Sequence, residues 1–502
     1  MILFGFLPQS SKTRKTVAVV VSVPYEGVAG QDTAAARRGD LARFRQEFYG
    51  SLTARADALF ELTDAVLCAD GPVRSLVDLS VVAEHRRGHG AMYDALGHGG
   101  VELERLRRSL ASLPLPRATD GRIVLAVDVS PWLRSDAPTS AERLFCHVYG
   151  RGKGQAQMIP GWPYSFVAAL EPGRTSWTAV LDAVRLGPAD DATAVTAAQL
   201  RAVVERLVEA QHWRTGDPDI LIVADAGYDI PRLAFVLADL PVELLGRLRC
   251  DRVLRLPKPP QPAATGRPPR HGPEFALGKP ATWPEPAHTT LTETSRYGTA
   301  TATSWDRLHP RLSRRGCWAD HDGELPVIAG TLIRLNVDHL PGDRNPKPVW
   351  LWSSITGATA ADVDRWWQSF LRRFDLEHTF RLFKQTLGWT APKIRTPQAA
   401  DRWTWLIIAA HTQLRLARPL AADLRRPWEK PAPPGRLTPA RVRRGFRNLR
   451  ATTSLPARAP KPSRPGPGRP PGSKNTHRAP RHGVGKTGRT DTTTSKTKEQ
   501  TG

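Results

Sequence analysis

Arg122-Ile-Val-Leu-Ala-Val-Asp128-Val129 is a short, almost wholly apolar run that closes on an aspartate. Such a run is typical of a strand buried in the middle of a sheet. Ile220-Leu-Ile-Val-Ala-Asp225 repeats the arrangement about ninety residues on. Ionised carboxylates are rarely set beside apolar strands unless something compensates their desolvation. A divalent metal ion does so. Hard Mg²⁺ takes a few carboxylate oxygens and keeps its other positions for water and substrate phosphates. Taken singly, each aspartate is also at home as a turn or capping residue at a strand end, and for one isolated residue that is the commoner case.

Outward from these runs the pattern stays regular. Leu144 to Tyr149 and Tyr164 to Leu170 read as strands, with Gly150-Arg-Gly-Lys-Gly154 as a turn between them. Ala192 to Trp213 is amphipathic, with Val195, Leu200, Val203, Val204 and Leu207 on one side of a helix. A helix from Pro231 to Leu240 and a strand from Val242 to Leu248 follow the second aspartate. Three strands, helix, strand, helix, strand is the ribonuclease-H-like order of an α/β sheet. In that order the first and fourth strands are central neighbours, so Asp128 and Asp225 are expected in one crevice.

The rest of the chain divides around this core. Residues 1–39 form an N-terminal segment. Residues 40–118 read as helical, with Phe44, Phe48, Leu52, Ala56 and Leu59, and later Leu103, Leu106 and Leu110, at helical spacing. Short helices near the start of a basic chain suit either a helix-turn-helix that reads DNA ends or a plain packing domain. Residues 119–255 hold the first part of the core. Residues 256–325, rich in Pro, Gly and Thr, read as an irregular or β-rich insertion offering only short strands and loops. Residues 326–420 complete the core with strands Pro326 to Val337 and Val349 to Ser354, a long helix from about Ala360 to Gln385, and another from Arg402 to Arg418. Trp350 and Trp352 alternate and should pack on one face of their strand. Residues 421–502 are a basic Pro-, Gly- and Arg-rich tail, expected to be disordered when free after Pro431.

Charge points to the partner. The chain of 502 residues carries a formal +24 with a pI near 10.6, while 40% of it is hydrophobic. That balance favours a polyanion, nucleic acid first, and excludes a wholly disordered protein. Arg426 to Gly502 holds nineteen Lys or Arg against three acids, so most of the excess lies there. The basic run Arg441 to Arg450 is expected to bind phosphates non-specifically. Cys68, Cys146, Cys250 and Cys317 are scattered with no C-x-x-C pair, which disfavours zinc fingers and fits reduced thiols in a cytosolic protein. The apolar run Val17 to Val23 is too short for a membrane span and lacks a small-residue cleavage site.

The third group lies on the long helix. Phe370-Leu-Arg-Arg373-Phe-Asp-Leu-Glu377-His-Thr-Phe-Arg381-Leu-Phe-Lys384 sets Arg373 four residues before Glu377, Arg381 four after and Lys384 seven after. At about 100° per residue these share one helix face. A carboxylate among three cations is usually a solvated salt-bridge ladder. It is also what phosphoryl transfer needs, with Leu376, Phe380 and Phe383 docking the helix on the sheet.

This spacing resembles the Y-x2-R-x3-E-x6-K signature of the DDE insertion-sequence transposases, in the group with a β-rich insertion before the catalytic Glu. Arg373, Glu377 and Lys384 match in place, while Phe370 stands where those families usually carry Tyr. Val-Asp128-Val-Ser and Ala-Asp225-Ala-Gly-Tyr-Asp229 resemble the group's first and second Asp segments, and 256–325 falls where its insertion lies. The resemblance covers roughly residues 120 to 415. It implies that Asp128, Asp225 and Glu377 hold Mg²⁺ or Mn²⁺, two ions about 3.5–4 Å apart, for in-line attack on a DNA phosphodiester. It also implies DNA contacts from Arg373, Arg381 and Lys384, double-stranded DNA partners (terminal inverted repeats and target), and a homodimer bridging two ends. Asp229 reads as a local turn residue rather than an auxiliary ligand.

Weaker words carry less. Gly-Arg-Pro-Pro at 266–269 and 468–471 resembles a minor-groove core but is common in so Pro-, Gly- and Arg-rich a chain. Gly483-Val-Gly-Lys486-Thr487 is no phosphate loop, because Pro480 occupies the position of the first glycine. The expectation is therefore a metal-dependent transposase of a bacterial cytoplasm, associated with the nucleoid and with no membrane partner. Another ribonuclease-H-like nuclease, an architectural DNA-binding protein, and a decayed transposase are the alternatives.

Overall fold

The computed structural model describes residues 31–148, 157–258, 269–340, 346–461, 472 and 478–485, apart from 174, 320 and 434. The apolar run near residue 20, the glycine-rich turn after 149, Lys486-Thr487 and most of both Gly-Arg-Pro-Pro words lie outside them. Helices α1 (Gln31–Gly50), α2 (Ala56–Cys68), α3 (Leu76–Ser80), α4 (His89–His98) and α5 (Leu103–Ala111) come first. The sheet then begins with β1 (Val124–Leu133), β2 (Leu144–Val148), β3 (Gln157–Leu170) and β4 (Thr178–Arg185). Helix α6 (Ala192–Glu209) leads to β5 (Ile220–Ala224), α7 (Ile230–Val236) and β6 (Val242–Leu248). A hairpin, β7 (His288–Thr294) and β8 (Gly298–Leu308), precedes β9 (Gly330–Val337) and β10 (Val349–Ser353). Helices α8 (Ala360–Arg372), α9 (Phe374–Gln385), α10 (Pro397–Ala417) and α11 (Pro439–Ala451) follow.

These ten strands join one mixed sheet in the order β7-β8-β9-β10-β6-β5-β1-β3-β2, with β4 also on β3. β1, β5 and β6 are parallel and central, and the other pairs are antiparallel. This is the expected α/β class, and the arrangement is consistent with a ribonuclease-H-like core. Alternate residues of the central strands face two cores, as a pleat requires. Ala126, Phe166, Val223 and Leu245 meet Trp366, Phe380, Phe383 and α10 on one face. Leu125, Val127 and Ile222 meet Leu200, Val203, Leu207 and Leu233 of α6 and α7 on the other. Trp350 and Trp352 share that second core, as expected.

Helix α10 is apolar nearly all round and is buried along almost its whole length. A helix of that kind must be covered on every side. α1, α2, α4 and α11 pack against it, and β4 closes its sheet side. Buried charge ties the same layer together. Arg45 donates to Asp64 at 2.7 Å and to Gln413 at 2.5 Å, and Arg450 reaches Asp64 at 3.3 Å. No described helix is long and apolar enough to cross a membrane.

Four expectations require correction. The antiparallel trio at the front of the sheet is β1, β3 and β4, while β2 is a short edge strand; β4 escapes a sequence reading because Asp182 interrupts its apolar run. That aspartate is held by Arg107 at 3.0 Å and Arg206 at 2.7 Å. The described part of the stretch 256–325 is more ordered than its composition suggests. In β8, Ala300 and Ala302 turn inward and the intervening threonines outward, so the strand extends the main sheet while looking polar. The helix from Ala360 is two helices, because the turn at Arg373 tightens to i→i−3 bonds, Arg373 N–H to Phe370 and Leu376 N–H to Arg373. Finally, the tail is not wholly disordered. Val442 and Phe446 bury α11 against α2 and α10.

The arginines of α11 explain why it folds despite its charge. Arg444 pairs with Glu429 at 2.8 Å and Arg447 with Glu84 at 3.0 Å. Arg443 is buried and donates to the Val66 and Gly71 carbonyls at 2.9 and 2.6 Å. With these partners in hand, the run 441–450 folds as a helix that docks on the body of the protein.

Candidate active site

Pairing of β1 with β5 ends at Val127–Ala224. The next residue on each strand is an aspartate, so Asp128 and Asp225 stand side by side at the crest of the sheet. Both backbones are fixed by neighbours on either side, β3 beyond β1 and β6 beyond β5. Gly246 on β6 permits the last close approach, since a Cβ there would lie 2.1 Å from Ile230 at the start of α7. Asp229 caps α7 by accepting from Arg232 N–H at 3.2 Å, which is the local role its position suggested.

α9 crosses the same crest from the opposite face. Its capping residue Arg373 points inward with a side chain 5% exposed. Nη1 donates to Asp128 Oδ2 at 2.6 Å, and Nη2 lies 3.6 Å from Asp225 Oδ2. Phe370 and Phe374 flank the guanidinium, their ring centres 5.7 and 5.3 Å from its carbon. Asp128 also accepts from the Val129 amide at 2.8 Å. Burial nevertheless outweighs these partners. The Asp128 carboxyl is pushed up to about 6, chiefly by desolvation and further by the charges of Glu377 and Asp225, against the opposing pull of Arg373. Three carboxylates thus act on one another across the crest.

Glu377 is exposed one turn along α9, and Arg381 is exposed beyond it. Lys384 is half-buried, 5.7 Å from the centre of the Trp389 ring. Burial lowers its pKa while the Glu377 charge opposes that shift. Asp128, Asp225 and Arg373 therefore meet at one place, with the charge of Glu377 acting on Asp128; Arg373 is turned to the aspartates, and of the three cations Arg381 is the exposed one. Two neighbours had no signal in the sequence. Arg247 on β6, half exposed, reaches to 3.8 Å from Asp225 Oδ1. The Tyr228 hydroxyl is buried beside Ser165, and burial and then Asp128 push its pKa up.

Among the described residues no three carboxylate, His or Cys side chains already close into a cation cage. The donor set nevertheless suits a hard divalent ion, being all carboxylate oxygen. Asp225 Oδ1 is buried with no hydrogen-bond partner, an orphaned acceptor of the kind a cation satisfies.

The sequence profile of the DDE superfamily endonucleases matches residues 47–311, more than half of the chain, and the protein belongs to that family. The match takes in Asp128 and Asp225 and ends before Glu377. No curated protein matches the chain.

Proposed function

We propose that the protein is a transposase that cuts DNA at transposon ends and joins them to target DNA, with Asp128, Asp225 and Glu377 as its catalytic carboxylates. What supports this is the placement of Asp128 and Asp225 side by side at the ends of adjacent parallel strands, with the charge of Glu377 on α9 acting on Asp128. Mg²⁺ or Mn²⁺ ions held there supply the charge that activates a water or 3′-hydroxyl and stabilises the leaving oxygen. The chain's own residues do the rest. Strands β1 and β5 hold the two aspartates rigidly, which keeps the geometry fixed during attack. Arg247, half exposed beside Asp225, and the exposed Arg381 on α9 would meet a DNA backbone. Lys384, whose charge Glu377 supports against burial, would add a cation on the same helix. The signature spanning α8 and α9 supports the insertion-sequence group with an insertion before the Glu, and with it terminal inverted repeats as substrate and a homodimer that bridges two ends.

The test is cleavage of DNA carrying the protein's own gene and its flanks, with and without Mg²⁺, beside Asp225→Asn and Glu377→Gln. Metal-dependent cuts at the flanks, absent from both variants, are expected. Removing a member of a phosphoryl-transfer carboxylate set should cost on the order of 10³-fold or more in rate. DNA that is bound but never cut, by parent and variants alike, refutes the catalytic reading.

A further inference from the structure

We infer that Arg373 is the internal counter-ion of the Asp128–Asp225 pair, so that a divalent cation and this guanidinium compete for the same carboxylates. The inference rests on the proposed metal-holding role of that pair and adds what governs its affinity.

The geometry is that of a held ion, not of a surface side chain. The guanidinium donates to Asp128 at 2.6 Å, faces Asp225 at 3.6 Å and is 5% exposed. Phe370 and Phe374 bracket it, and its Nε is buried with no hydrogen-bond partner. Its planar fork of N–H donors suits a buried pair of carboxylates. Two cations that share a pair of carboxylates repel, and each lowers the affinity of the other by the same factor. The tight turn between α8 and α9 carries Arg373 on its backbone. Withdrawal of the guanidinium is therefore a side-chain movement toward Phe374, which is half exposed at the rim. A DNA phosphate beside the carboxylates offers the displaced guanidinium a bidentate anion in exchange. Metal loading and substrate engagement are coupled through this one side chain, which disfavours a fully charged metal site without DNA.

The test is calorimetric titration of the full chain with Mn²⁺ alone, in the absence of DNA, for the parent, Arg373→Gln, Arg373→Lys and Asp225→Asn. Arg373→Gln is expected to bind Mn²⁺ roughly 5- to 150-fold more tightly than the parent, the usual range for coupled sites. Arg373→Lys keeps the charge and should remain within a fewfold of the parent, which guards against a fold defect in the glutamine variant. Asp225→Asn should lose binding. Unchanged or weaker binding by Arg373→Gln, with Asp225→Asn still defective, overturns the counter-ion role and leaves the metal site standing. Parent-like binding by Asp225→Asn, or no binding by any protein, overturns the site and this inference together.

Discussion

Asp128 joins two demands that work against each other. It must be ionised to hold a cation, yet it sits where burial and two neighbouring carboxylates favour the neutral acid. Its folded pKa, near 6, lies above the ordinary 3.8, so the native protein holds this proton more tightly than the unfolded chain. The resulting stabilisation is complete below the ordinary value and is lost as pH rises through about 6. A shift of this size corresponds to roughly 3 kcal/mol. Denaturant unfolding in chelator between pH 4 and 7 should show the parent losing about that much relative to Asp128→Asn; parallel pH profiles would show that the carboxyl is not shifted. The aspartates themselves were legible, because a charge ending an apolar strand asks for an explanation. The direction of Arg373 was not. Helical spacing assigns a residue to a face, but only tertiary contact decides whether that face meets solvent or two buried carboxylates. Arg247 was hidden for a related reason, since nothing local tells which strand lies beside β5.

At the level of elements, α11 shows how composition misleads. Val442, Phe446 and Leu449 recur at helical spacing, but the surrounding arginines and prolines give the segment the look of a disordered tail. Two of its acidic partners, Asp64 on α2 and Glu84 in the loop after α3, lie more than 350 residues earlier. Phe446→Ala is expected to lower stability by about 3–5 kcal/mol, as a fully buried aromatic does, measured as a shift in denaturant midpoint. A change under about 1 kcal/mol would mean that α11 does not dock as described. Asp64→Ala should cost a similar 3–5 kcal/mol, because Arg45 would remain buried without its partner. The break between α8 and α9 was equally illegible. Nothing in Arg372-Arg373-Phe374 forbids a continuous helix, and the turn tightens where the Arg373 side chain is drawn to the sheet.

For the molecule as a whole, net charge overstates the surface free to meet DNA. The ten-stranded sheet places its carboxylates at one crest, while several arginines of the C-terminal part are neutralised internally. Affinity for DNA should fall steeply with salt, and Arg444→Gln should leave the slope of log K against log salt unchanged, since Arg444 already pairs with Glu429. A drop of about one in that slope would show that Arg444 reaches phosphate. The central strands and their order could be read from apolar runs, whereas the joining of N- and C-terminal helices into one layer could not, because no local pattern records which distant segment covers a helix. That joining bears on the order in which the chain can fold. The helix that α1, α2 and α4 enclose lies at residues 397–417, so a nascent chain exposes their apolar faces until that helix, some 300 residues further on, has been made. Closure over so long a separation is slow and prone to aggregation. Synthesis rate and chaperone supply, more than final stability, should therefore limit how much active protein a cell accumulates.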